Sequence, residues 1–211
     1  MIILEILLWI VIVLVAFRIL IGIVRKLIHF PAPAFISIFL DSRARGWWQP
    51  PKDIIRFSNI KKGMKILEIG SGSGFFTIPA AKVLGYDGEI AALDIQPEML
   101  DKITKKLEKE ENSGIENIRC VKASAYEIPY PAETFDVVFT VSVLQEIPKP
   151  HDVLLEAHRV LKKGGTMSIS EFIPDPDWPL PSTVEKQLTA AGFKNLKKHG
   201  NFFRYTITGV K

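Results

Sequence analysis

Apolar positions are arranged in two different ways along this chain. From Ile2 to Val24 the run IILEILLWIVIVLVAFRILIGIV is broken by charge only at Glu5 and Arg18. As a helix it would extend about 34 Å at about 1.5 Å per residue, enough to cross a bilayer. The pattern therefore predicts a transmembrane helix over 1–24. A buried core helix is seldom apolar on every face for so long, and an in-plane helix needs a polar face that this stretch lacks. A signal peptide would want a basic start and a small-residue cleavage site, neither of which is offered here. Glu5 sits near one end, and Arg18 is long enough to snorkel from the last turns.

From Lys65 the pattern changes to short apolar runs separated by amphipathic stretches. Strands are expected at 65–70, 88–95, 117–123, 135–142, 166–172 and 202–210. Helices are expected at 75–85, 97–111, 151–165 and 182–192, one of them opening on Pro97 and three closing on glycine. Strands alternating with helices of this length imply parallel crossover units, hence an α/β fold with a doubly wound, Rossmann-like sheet, mostly parallel. A short strand over 193–199, paired with the last one, would make an antiparallel C-terminal edge. Three regions follow: a span at 1–24, an interfacial collar at 25–62 rich in proline, aromatics and arginine, and a nucleotide-binding domain at 63–211.

Charge sets the orientation. Arg25, Lys26, Arg43 and Arg45 flank the C-terminal side of the span, so the positive-inside rule predicts a single-pass protein of the cytoplasmic membrane with its domain in the cytoplasm. The net charge of +4 comes without the Lys/Arg tract and interleaved aromatics of a nucleic-acid groove, so no nucleic-acid partner is expected. One cysteine, Cys120, excludes an internal disulfide and a cysteine-cluster metal site; it is expected as a buried strand residue, and no metal site is expected.

The chemistry concentrates in KILEIGSGSGFF, residues 65–76. Glycines between a strand and a helix let a ligand touch the backbone. A dinucleotide fingerprint would need its third glycine where Phe75 stands, and a triphosphate loop would need a lysine that GSGSGFFT lacks. Glu68, two residues before Gly70, opposes phosphate and suits a positively charged amine. Asp94, about twenty positions past the glycines at the end of the second strand, can accept both ribose hydroxyls. A ligand with a ribose, an amine and no phosphate fits S-adenosylmethionine.

From about Gly63 onward the chain resembles the class I S-adenosylmethionine-dependent methyltransferases, in the branch similar to the ubiquinone/menaquinone C-methyltransferases. The stretches that carry this are ILEIGSGSGFFT, IAALDIQPEML, VKASAYEIPYPAETFDVVFTVSVLQEIPKP and RVLKKGGTMSISEF. The resemblance implies that Glu68 and the loop of Gly70, Ser71, Gly72 and Gly74 hold the methionine end, Asp94 the ribose, and Ile95 one adenine face. Ser124, Ala125 and Tyr126 fall where the family often bonds the adenine amine through an aspartate; Ser124 stands at that position. Val141 and Ser142 would flank the reacting methyl. Gln145 and Glu146 replace a histidine common at that place in the family.

Transfer from a sulfonium is an in-line displacement that alignment alone can accelerate, and a neutral amine acceptor needs no base. A carbon or phenolic acceptor benefits from one, for which Glu146, Tyr126, His29 and His151 are candidates; no catalytic residue is assigned. The collar's Phe35, Phe39, Trp47 and Trp48 mark an approach from the membrane, so the expected acceptor is a lipid headgroup amine or an isoprenoid quinone precursor. A tethered enzyme with a soluble small-molecule or protein acceptor, and a non-catalytic module that binds S-adenosylmethionine, are the alternatives. The sequence leaves the oligomeric state open.

Overall fold

The computed structural model describes residues 43–173 and 178–211, together with Glu5, Ile6, Leu8, Trp9, Ile12, Val13, Val15 and Ala16. The expected membrane span falls mostly outside these residues, as do His29, Phe35 and Phe39. Its eight described positions are helical and exposed. Among the described residues no helix is long and apolar enough to cross a membrane.

Two short helices, α1 (Arg43–Trp48) and α2 (Pro51–Phe57), precede the sheet. Then follow β1 (Lys65–Ile69), α3 (Thr77–Leu84), β2 (Glu89–Asp94), α4 (Pro97–Leu107), β3 (Ile118–Lys122) and β4 (Phe135–Val141). The chain closes with α5 (Pro150–Val160), β5 (Leu161–Phe172), α6 (Pro181–Ala190), β6 (Lys194–Gly200) and β7 (Arg204–Val210). Seven strands form one sheet in the order β3-β2-β1-β4-β5-β7-β6. The first five are parallel; β7 runs antiparallel between β5 and β6. The sequence reading of the sheet holds, including its antiparallel C-terminal edge.

Both faces are covered, which explains why the central strands are apolar at nearly every position. On β1, Leu67 and Ile69 pack toward the side that holds Leu154 of α5 and Leu188 of α6. Ile66 packs toward Ile78 of α3 and Ile103 of α4 on the other side. The 25–62 segment enters this second core, since Ile54, Ile55 and Ile60 are buried in it.

Two expectations fail. The helix read over 151–165 ends at Val160, and β5 starts at Leu161. Leu161 is fully buried and pairs with Phe135, whereas the next paired residue, Thr166, faces Val137. Residues 162–165 bulge out of the ladder, with Gly164 at φ +78° and Gly165 so close to the Lys162 carbonyl that a Cβ would sit 2.8 Å from it. Helical periodicity in LKKGG was thus overridden by strand pairing and glycine. Cys120 lies on a strand as expected but is exposed, because β3 is the sheet's edge and has a neighbour on one side only.

Candidate active site

Parallel strands end on one edge, and the order reverses between β1 and β4, which opens a crevice at their carboxyl ends. The turn from β1 to α3 fills its floor. Gly70, Gly72 and Gly74 have φ of +72°, +52° and +84°, a conformation that costs an L-residue roughly 1–2 kcal/mol. Their surroundings differ. A Cβ on Gly70 would come within 2.6 Å of Val143, and one on Gly74 within 2.9 Å of Ile103, while one on Gly72 would meet nothing within 4 Å. Two glycines are therefore required by packing, and the middle one faces open space.

The turn is tied to the end of β2. The N–H groups of Gly70 and Ser71 donate to the Leu93 carbonyl at 2.8 and 3.0 Å. Gly72 N–H donates to Asp94 Oδ2 at 2.8 Å and Gln96 N–H to Oδ1 at 2.9 Å. Asp94 therefore shapes the turn already, and with N–H groups of Gly72, Gln96 and Ile95 on its two oxygens it keeps acceptor capacity for a further donor. Burial raises its carboxyl above the ordinary range, opposed by the N–H groups of Gln96, Gly72 and Ile95.

Glu68, 1% exposed, lies beneath the turn. The Thr77 hydroxyl, at the start of α3, donates to its Oε2 at 2.5 Å. Burial pushes the Glu68 carboxyl up to about 8, with Asp94 adding to the rise and the Thr77 bond and Arg45 opposing it. Burial thus favours the protonated form of Glu68, and a cation placed beside it would favour release.

The other expected residues gather at this edge. Ile95 is 59% exposed, so its side chain offers an open apolar face. The loop after β3 is anchored by Ala123 N–H on the Asp94 carbonyl at 3.2 Å. Ser124 Oγ accepts the Tyr126 N–H at 3.2 Å, a local turn bond, and the Tyr126 hydroxyl accepts the Lys149 N–H at 3.0 Å. Ala125 is half-buried beside them. Val141 is buried at the end of β4. Ser142 follows at φ +56° and donates its N–H to the Ser170 carbonyl at 2.9 Å. The buried hydroxyls of Ser71 and Ser142 have no hydrogen-bond partner among the described residues.

The base candidates divide. Glu146 and Gln145 lie in a short 3-10 turn, Leu144–Glu146, after β4, at the same edge. His151 is exposed in the first turn of α5. His158 lies in the last turn of that helix against Phe193, and burial lowers its imidazole below the ordinary range. Among the described residues no cluster of His, Cys, Asp and Glu could hold a metal ion.

Two neighbours were missed in the sequence. Thr77 had a local signal, as the first residue of a helix following the glycine turn. Arg45 had none: it lies outside the strand–helix alternation, yet its guanidinium stands 5.3 Å from the Phe75 ring centroid and 5.0 Å from that of Phe76.

The open backbone at Gly72, the partnerless hydroxyls, the Asp94 carboxylate and the buried acid make a donor set that fits an adenosyl group with an aminoacyl tail. Comparison with known proteins agrees. Residues 60–205 match a family described as a methyltransferase domain. A ubiquinone/menaquinone biosynthesis C-methyltransferase, UbiE, of Rhizobium etli is 30% identical over 191 residues, covering 89% of this chain and 70% of the relative. A demethylmenaquinone methyltransferase of Staphylococcus aureus is 33% identical over 143 residues, covering 68% of this chain and 55% of the relative. The chain spans about half the length of several such relatives, 47% and 55% in two cases. Among solved structures, a SAM-dependent methyltransferase from Aquifex aeolicus superposes with a TM-score of 0.77 at 23% identity, covering 85% of this chain and 98% of that one.

Proposed function

Because this chain belongs to the class I S-adenosylmethionine-dependent methyltransferases, we propose that its acceptor is membrane-associated, a lipid headgroup amine or an isoprenoid quinone precursor. The proposal includes a location: the domain sits at the cytoplasmic face of the membrane, held there by the apolar segment 2–24.

One observation carries this reading. Helix α1 brings Arg45 over the rings that follow the glycine turn, and the same helix exposes Trp47 by 77% and Trp48 by 50%. Arg204 Nη1 donates to the Trp48 carbonyl at 2.9 Å, which joins α1 to a second exposed aromatic pair, Phe202 and Phe203. Exposed tryptophan and phenylalanine beside a site favour contact with the bilayer interface. The named activity of the relatives, on quinones, is of the same lipid-soluble class.

The cofactor supplies an electrophilic methyl group on a sulfonium. Asp94 holds the ribose hydroxyls, and Gly72 leaves the backbone approachable. Ile95 would cover one adenine face, and Ser124, Ala125 and Tyr126 would border the adenine amine. Glu68 and the Gly70, Ser71, Gly72 and Gly74 turn hold the aminoacyl end. Val141 and Ser142 border the reacting centre and exclude water from it. Acceleration comes from alignment in a dry crevice. A neutral amine acceptor needs no base; for a carbon acceptor, Glu146 lies at the right edge to take a proton.

The test uses the full chain in detergent with methyl-labelled cofactor and a total membrane-lipid extract, followed by partition between organic and aqueous phases. Label in the organic phase is expected. Label confined to a soluble or protein fraction would overturn the membrane acceptor and leave the tethered alternative.

A further inference from the structure

The aminoacyl tail of the cofactor is a zwitterion, with an ammonium and a carboxylate on one carbon. The site as described so far supplies Glu68 for the ammonium and nothing of opposite sign for the carboxylate. The cation that the structure places closest in role comes from α1, outside the 60–205 family match. Arg45 is half-buried. Its guanidinium is set against Phe75 and Phe76, the two residues after Gly74, which meet each other edge to face at 5.0 Å. Gln49, 2% exposed, takes its Nε at 3.4 Å. The helix backbone is equally close: a Cβ on Gly46 would lie 3.6 Å from the Phe75 ring.

We infer that Arg45 binds the carboxylate of the cofactor's aminoacyl tail, so that Arg45 and Glu68 together read a zwitterion. The inference rests on the cofactor site proposed above. Three features support it. The electrostatic influence of Arg45 reaches Glu68, so the two side chains share one end of the site. Two aromatic faces hold the guanidinium, so little side-chain entropy is lost when it engages a ligand. Its planar fork matches a carboxylate with two parallel hydrogen bonds, which an ammonium cannot reproduce. Arg45 would then make α1 a strap fastened by the cofactor, with the exposed tryptophans two and three residues further along.

The test is calorimetric and needs no acceptor. Three probes are titrated into the full chain in detergent: S-adenosylhomocysteine, its decarboxylated form with the amine retained, and 5′-methylthioadenosine, which lacks the whole tail. Arg45→Ala should weaken S-adenosylhomocysteine by about 10- to 100-fold, the range for a charged hydrogen-bonded pair, and leave the other two within about twofold. Arg45→Lys should recover part of the loss, and Arg56→Ala, on an exposed residue of α2, should change nothing. Equal loss of all three probes would show that Arg45 only holds α1 in place and would overturn the inference. So would an unchanged affinity for S-adenosylhomocysteine. If the wild-type chain binds none of the three, the site reading itself fails and takes the inference with it; normal 5′-methylthioadenosine binding without discrimination at Arg45 defeats the inference alone.

Discussion

Glu68 makes a pH-dependent stability that can be worked through. Its carboxyl titrates near 4.5 when unfolded, and burial pushes it up to about 8 in the fold. Between those values the folded state binds more protons than the unfolded state, so stability falls as pH rises. The full difference is about 3.5 pKa units, or about 5 kcal/mol at about 1.4 kcal/mol per unit. Over the accessible part of the window, pH 5 to 8, it amounts to about 3–4 kcal/mol. Glu68→Gln keeps the acceptor for the Thr77 hydroxyl but cannot ionise. Wild type and variant should be of similar stability near pH 5, where both side chains are neutral, and the variant should be the more stable by about 3–4 kcal/mol at pH 8. Urea unfolding at fixed detergent reads this directly, since slopes of about 1–3 kcal/mol/M turn the difference into a midpoint shift of about 1 M or more. Asp94 and the other titrating groups are common to both proteins, so the difference isolates Glu68. A stability difference that stays constant from pH 5 to 8 would refute the reasoning.

Binding of a ligand with an ammonium beside Glu68 should eject its proton: calorimetry at about pH 6.5 in buffers of different ionisation enthalpy is expected to show about one proton released, and Glu68→Gln should abolish it. Gly70→Ala adds the left-handed strain and a 2.6 Å clash with Val143, so it should cost about 3 kcal/mol or more, part of it recovered by Val143→Ala. Gly72→Ala carries only the strain, about 1–2 kcal/mol, yet should weaken S-adenosylhomocysteine more than tenfold because its Cβ enters the open space; denaturation and calorimetry separate the two effects. Asp94→Ala removes the acceptor for Gly72 and Gln96 and should cost about 2 kcal/mol or more of cofactor binding; unchanged affinity by calorimetry would contradict the ribose assignment.

The sequence revealed the sheet because its strands are buried on two faces and its helices on one, which gives distinct periodicities. It also revealed the glycine turn, where three positive-φ positions cannot be hidden among ordinary residues. It did not reveal where α5 stops. LKKGG has helical composition at its start, and only the pairing of Leu161 with Phe135 turns it into strand. Cys120 was misread because an edge strand and a central strand share local sequence character; edge position is a property of strand order. Arg45 was legible only as a charge near an apolar segment. Its placement over Phe75 and Phe76 depends on α1 folding back across the sheet edge, a long-range contact with no periodic trace.

The most direct measurement is a crystal structure of the chain with S-adenosylhomocysteine bound. The expected result has the adenosyl group over Gly72, the ribose hydroxyls on Asp94 and the aminoacyl tail at Glu68. Ligand density away from the carboxyl ends of β1 and β2, or a ribose that leaves Asp94 bonded to Gly72 and Gln96 alone, would contradict it.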